Sequence, residues 1–136
     1  NMDILNAAKD LAREIQKSES YINLKIASQN NDNDEKLQDL IGKFNLKKIA
    51  ISTQMSEDNK NSDKISRLNE ELKACYEEIM NNSNMLNYMK CKKEFDELIR
   101  KINLLVAAGA NGEDVDSVNL ENNGCTGSCG SCGGCQ

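Results

Sequence analysis

Apolar side chains recur every three or four residues along two long stretches of this sequence. The first stretch runs from Ile65 to Ile79 and the second from Tyr88 to Leu105. Steps that alternate between three and four residues are typical of the seam of a coiled coil. We therefore expect two helices, or one interrupted helix, that pack in an antiparallel manner. An apolar stripe this long in so small a chain favours burial against a second copy or another partner.

Three further helices are predicted upstream of these stretches. Each helix follows a residue that favours the N-cap position, because its side-chain oxygen can accept a hydrogen bond from the first turn. The N-caps predicted for these helices and for the helix through Ile65 are, in chain order, Asp3, Ser18 or Ser20, Asp34, and Ser62 or Asp63. Polar runs at 30–34, 56–64 and 81–84 separate the helices.

The composition favours one domain built from helices. The chain has 136 residues, of which 38% are hydrophobic and only 4% aromatic, so aliphatic side chains must form the core. The sequence predicts an all-α fold: a small helical bundle with long antiparallel, coiled-coil-like helices and a disordered or flexible C-terminal tail. We divide the chain into a helical domain at 2–108, a flexible acidic linker at 109–124 and a cysteine-rich tail at 125–136.

The sequence contains no histidine, which removes the commonest general base and the commonest metal ligand. A Ser-His or Cys-His nucleophile pair cannot form within the chain, and we predict that the protein is not an enzyme. Adjacent carboxylates such as Glu70 and Glu71 are interpreted as solvated helix faces. The basic spots at 47–48 and 90–93 lack flanking aromatic residues, so direct binding of nucleic acid is not expected.

The sequence also bears on location. It has no run of about 18 apolar residues that would span a membrane, and its N-terminus lacks the charged and apolar regions of a signal peptide. We therefore expect a cytoplasmic protein, in a compartment where thiols stay reduced. In that setting, closely spaced cysteines indicate metal binding or redox chemistry more readily than structural disulfides.

Four of the six cysteines lie close together at the C-terminus, with the spacing C-x3-C-x2-C-x2-C. They are Cys125, Cys129, Cys132 and Cys135. Four thiolates can ligate either a tetrahedral zinc ion or a 4Fe-4S cluster, and the compact run is more typical of iron-sulfur ligation. A flexible tail without a stable ligand, a modification substrate and a regulatory disulfide remain alternatives.

Charge separates this tail from the rest of the chain. All 17 basic residues precede residue 107, whereas the residues from 107 onward carry four acids. A centre ligated by four thiolates would therefore need compensating charge from elsewhere, such as Lys90, Lys92 and Lys93 or a partner surface. The two other cysteines, Cys75 and Cys91, fall on the apolar stripes and are interpreted as small buried hydrophobes.

Several segments, in a fixed order, resemble the YlbF/YmcA family of small all-helical bacterial regulators. They are "DILNAAKDLAREIQKSESYINLKIA", then "KLQDLIGKFN" after an acidic break, and later "LNYMKCKKEFDELIRKINLLVA". The resemblance spans roughly residues 2–108 and extends to the C-terminal cysteines that YlbF-like members carry. The sequence departs from the family pattern at "NNSN", residues 81–84, near which a proline often stands.

The resemblance implies a non-enzymatic regulator of competence, sporulation or biofilm formation. It implies assembly as a homo-oligomer, a dimer or larger, and with a paralogous family member and a third protein into a complex that binds 4Fe-4S clusters. Such a complex would influence RNA processing by the membrane-attached ribonuclease Y. Carried over by position, the cluster ligands would be Cys125, Cys129, Cys132 and Cys135, with zinc as the alternative. A second reading is a structural interaction protein whose disordered tail is dispensable.

Overall fold

A computed structural model describes residues 3–121, and within them the chain forms five α-helices and no strand. The helices are α1 (Ile4–Lys17), α2 (Glu19–Asp32), α3 (Glu35–Met55), α4 (Ser62–Met80) and α5 (Ser83–Ala110), followed by a short 3₁₀ helix at Val115–Ser117. The predicted all-α class is confirmed. The chain divides into two compact units, the first ending at Phe95 and the second beginning at Asp96, so the boundary lies within α5.

The predicted helix starts are confirmed for the first three helices. Asp3, Ser18 and Asp34 are the N-caps of α1, α2 and α3, and each side chain accepts a backbone hydrogen bond from the first turn. The prediction for α4 was wrong by one residue, because Asn61 caps this helix and its Oδ1 accepts from the Lys64 N–H at 3.1 Å. Asparagine caps as well as serine or aspartate, so the sequence alone could not choose between them.

Helices α3 and α4 form an antiparallel pair. The late α3 residue Lys47 forms an ion pair with the early α4 residue Glu71 at 3.1 Å. The earlier α3 residue Leu40 accepts a hydrogen bond through its carbonyl from the Cys75 Sγ, later in α4, at 3.2 Å. These contacts fix the opposite directions of the two helices. Cys75 and Ile79 of the first apolar stretch are buried against Leu37 and Leu40 of α3, so the packing partner of this stretch is α3 of the same chain.

Helix α2 packs on the first half of α5 in the same antiparallel sense. Tyr21 near the start of α2 lies with its ring centroid 6.0 Å from that of Phe95. Asn31 near the end of α2 donates to the Met85 Sδ at 3.7 Å, close to the start of α5. The first unit therefore contains two arms, α2 with α3 and α4 with the first half of α5, that run in opposite directions.

The core of this first unit is a single seam between the arms. Leu37 is the one large side chain among residues 3–121 that is completely buried. It clusters with Leu40, Cys75 and Ile79. Partly buried side chains pack around this cluster, namely Ile41, Phe44, Met80 and Met85. No polar or charged residue of the described chain is buried, so the seam depends on aliphatic and thiol contacts.

The break between α2 and α3 lies beside the break between α4 and α5, and hydrogen bonds between polar side chains connect the two breaks. Asp34, the N-cap of α3, accepts hydrogen bonds at its Oδ2 from the side-chain amides of Asn82 and Asn84, each at 3.0 Å. Asn82 also caps α5, since its Oδ1 accepts from the Met85 N–H at 3.0 Å. The asparagine-rich run between α4 and α5 is therefore a specific contact to the first arm as well as a helix break.

Hydrogen bonds to the ionised carboxylate lower the pKa of Asp34. The largest contribution comes from the Leu37 N–H, followed by the amides of Asn82 and Asn84. A depressed folded-state pKa means that the ionised carboxylate stabilises the fold fully above the unfolded-state pKa, about 3.9. This stabilisation is lost as the pH falls through the lower folded-state pKa.

We expect Asp34→Asn to lower the melting temperature at neutral pH more than Asp3→Asn does. Asparagine can still cap α3, but one of its terminal atoms becomes a donor, so it cannot replace both carboxylate oxygens. Asp3 is the matched control because it is also an N-cap, but its side chain accepts a hydrogen bond only from the Leu5 N–H of its own helix. Thermal unfolding followed by circular dichroism over a pH series provides the measurement. The difference between wild type and Asp34→Asn should shrink in acid; a difference independent of pH would contradict the assignment.

Truncating the centre of the seam should be the most disruptive single apolar change. Leu37→Ala is expected to lower the free energy of unfolding by about 2–5 kcal/mol, because a fully buried leucine leaves a cavity. Leu46→Ala is the control on the same helix, since Leu46 is 67% exposed, and a change within about 0.5 kcal/mol is expected there. Urea unfolding measures both values, and equal losses for the two variants would contradict the position of the core.

Candidate interaction surface and cysteine site

The four cysteines expected to ligate a metal or a cluster lie outside the described residues. They are Cys125, Cys129, Cys132 and Cys135. Within residues 3–121, no three acidic or cysteine side chains converge as a metal site. The assignment of these cysteines to a 4Fe-4S cluster or to zinc therefore stays a prediction from the sequence.

The two upstream cysteines are buried, which confirms their interpretation as core residues. Cys75 is 6% exposed and Cys91 is 7% exposed, and neither forms a disulfide. Cys75 belongs to the α3–α4 seam and donates to a backbone carbonyl. Both side chains fill space between helices, so they are poor candidates for ligands.

Helix α1 presents an apolar face that nothing in the described chain buries. No residue of this helix is buried, although its sequence is strongly amphipathic. Ile4 is 80% exposed and Leu5 is 68% exposed, and Leu11 is exposed almost two turns later. The stripe also includes Ala8, Ala12 and Ile15. Its neighbour in contact is α2, the helix that follows it in the chain.

Charged side chains occupy the other faces of α1. Asp10 and Arg13 form an ion pair at 2.7 Å, and Glu14 and Lys17 form another at 3.3 Å. All four side chains are well exposed. Pairs with this spacing stabilise a helix by only a few tenths of a kcal/mol each, so they keep the outer face in water without fixing α1 to the rest of the first unit.

In the second unit, the chain reverses direction at the end of α5. Gly112 adopts a left-handed conformation with φ of 75°. The Glu113 N–H then donates to the Ala108 carbonyl at 2.9 Å, and the Gly112 N–H donates to the Gly109 carbonyl at 3.1 Å. These two bonds define a Schellman motif, in which glycine takes the positive φ without the steric cost of a Cβ.

Two basic residues of α5 hold the returning segment. Arg100 Nη2 donates to the Leu120 carbonyl at 2.8 Å, and Lys101 Nζ lies 3.4 Å from a carboxylate oxygen of Glu121. Glu97, one turn earlier on α5, orients the guanidinium by accepting from its Nε at 3.0 Å. The described chain thus ends beside the middle of α5, and the cysteines follow from there.

Sequence reasoning missed this anchor. The sequence predicts a flexible linker at 109–124, and it indicates Lys90, Lys92 and Lys93 or a partner surface as the source of charge that compensates the thiolates. The structure places a 3₁₀ helix and several turns within 111–121, while the flexibility of the segment stays a prediction. One signal was present, because Arg100 and Lys101 are the last two basic residues of the chain, but a backbone acceptor such as the Leu120 carbonyl has no signature in a sequence.

The basic spot at 47–48 has roles within the fold. Lys47 forms an ion pair with Glu71 across the α3–α4 pair, and the Lys48 Nζ lies 5.5 Å from the centroid of the Phe44 ring. Both side chains therefore have partners in the first unit. Among residues 3–121, no helix has the length and apolar composition needed to cross a membrane.

Comparison with known proteins identifies the family. A family model described as "Control of competence regulator ComK, YlbF/YmcA" matches residues 4–109. No curated protein and no solved structure matches the chain. The family match begins with α1 and ends within the last turn of α5, so it covers all five helices and leaves out the cysteines. Because the match extends over well more than half of the sequence, the chain belongs to the YlbF/YmcA family.

Proposed function

We propose that this chain is a non-enzymatic regulatory scaffold in the control of competence, and that it acts by assembling through the apolar face of α1. The family is one that controls the competence regulator ComK. The observation that carries the proposal is the complete absence of buried residues from an amphipathic helix. An apolar surface of this kind usually marks a site of protein association.

Helix stability supports assembly through α1. A helix of 14 residues is marginal in water unless its apolar face packs on something. A second copy of this chain carries the same face, and a symmetric pair needs one surface that complements itself. A homodimer is therefore the first assembly we propose. A paralogous family member with an equivalent helix would compete for the same face.

A charge on the apolar face of α1 should disrupt the assembly. We expect Leu5→Glu to convert the protein to monomers, because dimer formation would have to bury the new carboxylate. Asn6→Glu introduces the same residue at the neighbouring position, which points away from the face, and should leave the assembly intact. Sedimentation velocity over a concentration series separates monomer from dimer. Wild-type protein that stays monomeric throughout, or equal behaviour of the two variants, would contradict the proposal.

The C-terminal cysteines give the scaffold a second proposed property. Four thiolates at Cys125, Cys129, Cys132 and Cys135 form a donor set that suits a 4Fe-4S cluster, and we propose that they hold one in the cytoplasm. Such a cluster would make the scaffold sensitive to oxidation or iron supply, since it is lost when oxidised. Zinc at the same four ligands is the alternative. The donor set agrees with the family resemblance, which also links the scaffold to ribonuclease Y.

The cluster proposal predicts iron and sulfide in protein purified without oxygen. We expect about four of each per cluster together with visible absorption, and we expect both to be lost when the four tail cysteines are replaced by serine. Replacing Cys75 and Cys91 by alanine should leave the iron content per folded protein unchanged, because these thiols lie in helix contacts. Colourless protein that contains zinc would sink the iron-sulfur assignment and leave assembly through α1 standing.

A further inference from the structure

Exposed apolar residues of α2 continue the spacing of the apolar face of α1. Ile22 is 45% exposed and Ile26, about one turn later, is 51% exposed. Alternating steps of four and three residues lead along α1 and across the helix break to α2, through Ile4, Ala8, Leu11, Ile15, Ser18 and Ile22. Such steps keep side chains on one face of a continuous helix. The break at Ser18 therefore interrupts an apolar stripe whose spacing is continuous in the sequence.

The break is one residue long and depends on one side chain. Ser18 ends α1 and is the N-cap of α2, with φ of −67° and ψ of 149°. Its N–H and its hydroxyl both donate to the Ile15 carbonyl, at 3.1 Å and 2.6 Å, and its Oγ accepts from the Tyr21 N–H at 3.2 Å. The sequence from 3 to 32 contains neither proline nor glycine, so no residue in it opposes a continuous helix strongly.

A continuous helix would replace the hydrogen bonds that the break uses. The first N–H groups of α2 and the last carbonyls of α1 have no partner within their own helices. With Ser18 in helical conformation, the N–H groups of residues 18–21 would donate to the carbonyls of residues 14–17. Straightening would also cost α1 little packing, because none of its residues is buried and its ion pairs join residues of α1 itself.

The size of a stable protein interface favours the continuous form in an assembly. A standard interface uses about 20–30 residues from each partner, whereas α1 has 14 residues in all. A helix over residues 4–32 would be about 43 Å long at 1.5 Å per residue. A second copy of the chain carries the same stripe, so two such helices can match each other over this length. Straightening therefore enlarges the surface that self-association can bury.

We propose that α1 and α2 fuse into one helix across Ser18 when a second copy of the chain covers their common apolar stripe. The second copy shifts the equilibrium toward the straight form, because only that form presents the stripe without interruption. This inference rests on the self-association proposed above. It adds Ile22 and Ile26 of α2 to the interface and makes Ser18 the point at which the bent and the straight forms interconvert.

Proline at position 19 separates the two forms. Glu19→Pro suits the bent form, since proline is favoured at the first position of a helix and Ser18 already has the extended conformation required before proline. In the straight form, proline would lose the bond to the Ile15 carbonyl and clash with it. Sedimentation velocity should show a dimer dissociation constant about 100-fold or more above that of wild type. Glu19→Ala removes the same carboxylate without restricting the backbone and should dimerise as wild type does.

Alanine at position 18 acts in the opposite direction and does not depend on the proline variant. Ser18→Ala removes the cap that holds the bent form, so its dimer should be tighter by about fivefold or more. Hydrogen exchange supplies the second readout on wild-type protein. The amides of Glu19 and Ser20 gain helical acceptors only in the straight form, so they should exchange more slowly at concentrations at which the dimer forms.

The outcomes distinguish this inference from the self-association on which it rests. Equal dimers of Glu19→Pro and Glu19→Ala, a Ser18→Ala dimer no tighter than wild type, or fast exchange of Glu19 and Ser20 in the wild-type dimer would overturn the fused helix and leave self-association standing. Wild-type and Ser18→Ala proteins that both stay monomeric at every concentration would overturn the fused helix and the proposed self-association together.

Discussion

The seam between the two antiparallel arms supplies most of the tertiary contact in the first unit. Its centre is narrow, since Leu37 is the one large side chain of the described chain that is fully shielded from water. A core of this size offsets only part of the entropy lost on folding. Two further features accompany this narrow core. One is the polar junction at Asp34, which aligns the breaks in the two arms, and the other is the apolar face of α1, which the described chain leaves uncovered.

The junction at Asp34 shows how polar groups can specify a helical pairing. Apolar stripes with three- and four-residue steps can slide by a heptad with little loss of contact. The bonds from Asn82 and Asn84 to one carboxylate oxygen are available only when the two breaks face each other. The run of asparagines thus selects one register for an otherwise permissive seam.

Local chemistry explains which features were predictable from the sequence. The helix starts at Asp3, Ser18 and Asp34 were predictable because each depends only on the N-cap residue and the backbone of the turn that follows it. The burial of Cys75 and Cys91 was predictable because both lie on the apolar stripes of α4 and α5. The reversal after α5 depends on Gly112 at a positive φ and on carbonyl acceptors that every residue possesses. Glycine occurs at eight positions in this sequence, so its presence alone did not single out this turn. The likeness to the YlbF/YmcA family, by contrast, was visible in the order of the helical segments, and the family match confirms it.

The proposed assembly draws on the same shortage of core, because a helix with an apolar face and no buried residue would gain most of its stability from a partner. Hydrogen exchange of α1 measured over a range of protein concentration tests this most directly. We predict that amides of Ile4–Lys17 exchange more slowly as the concentration rises, whereas those of α4 in the seam exchange at a constant rate. Fast exchange in α1 at every concentration, with α4 protected throughout, would contradict the assignment of this face to self-association.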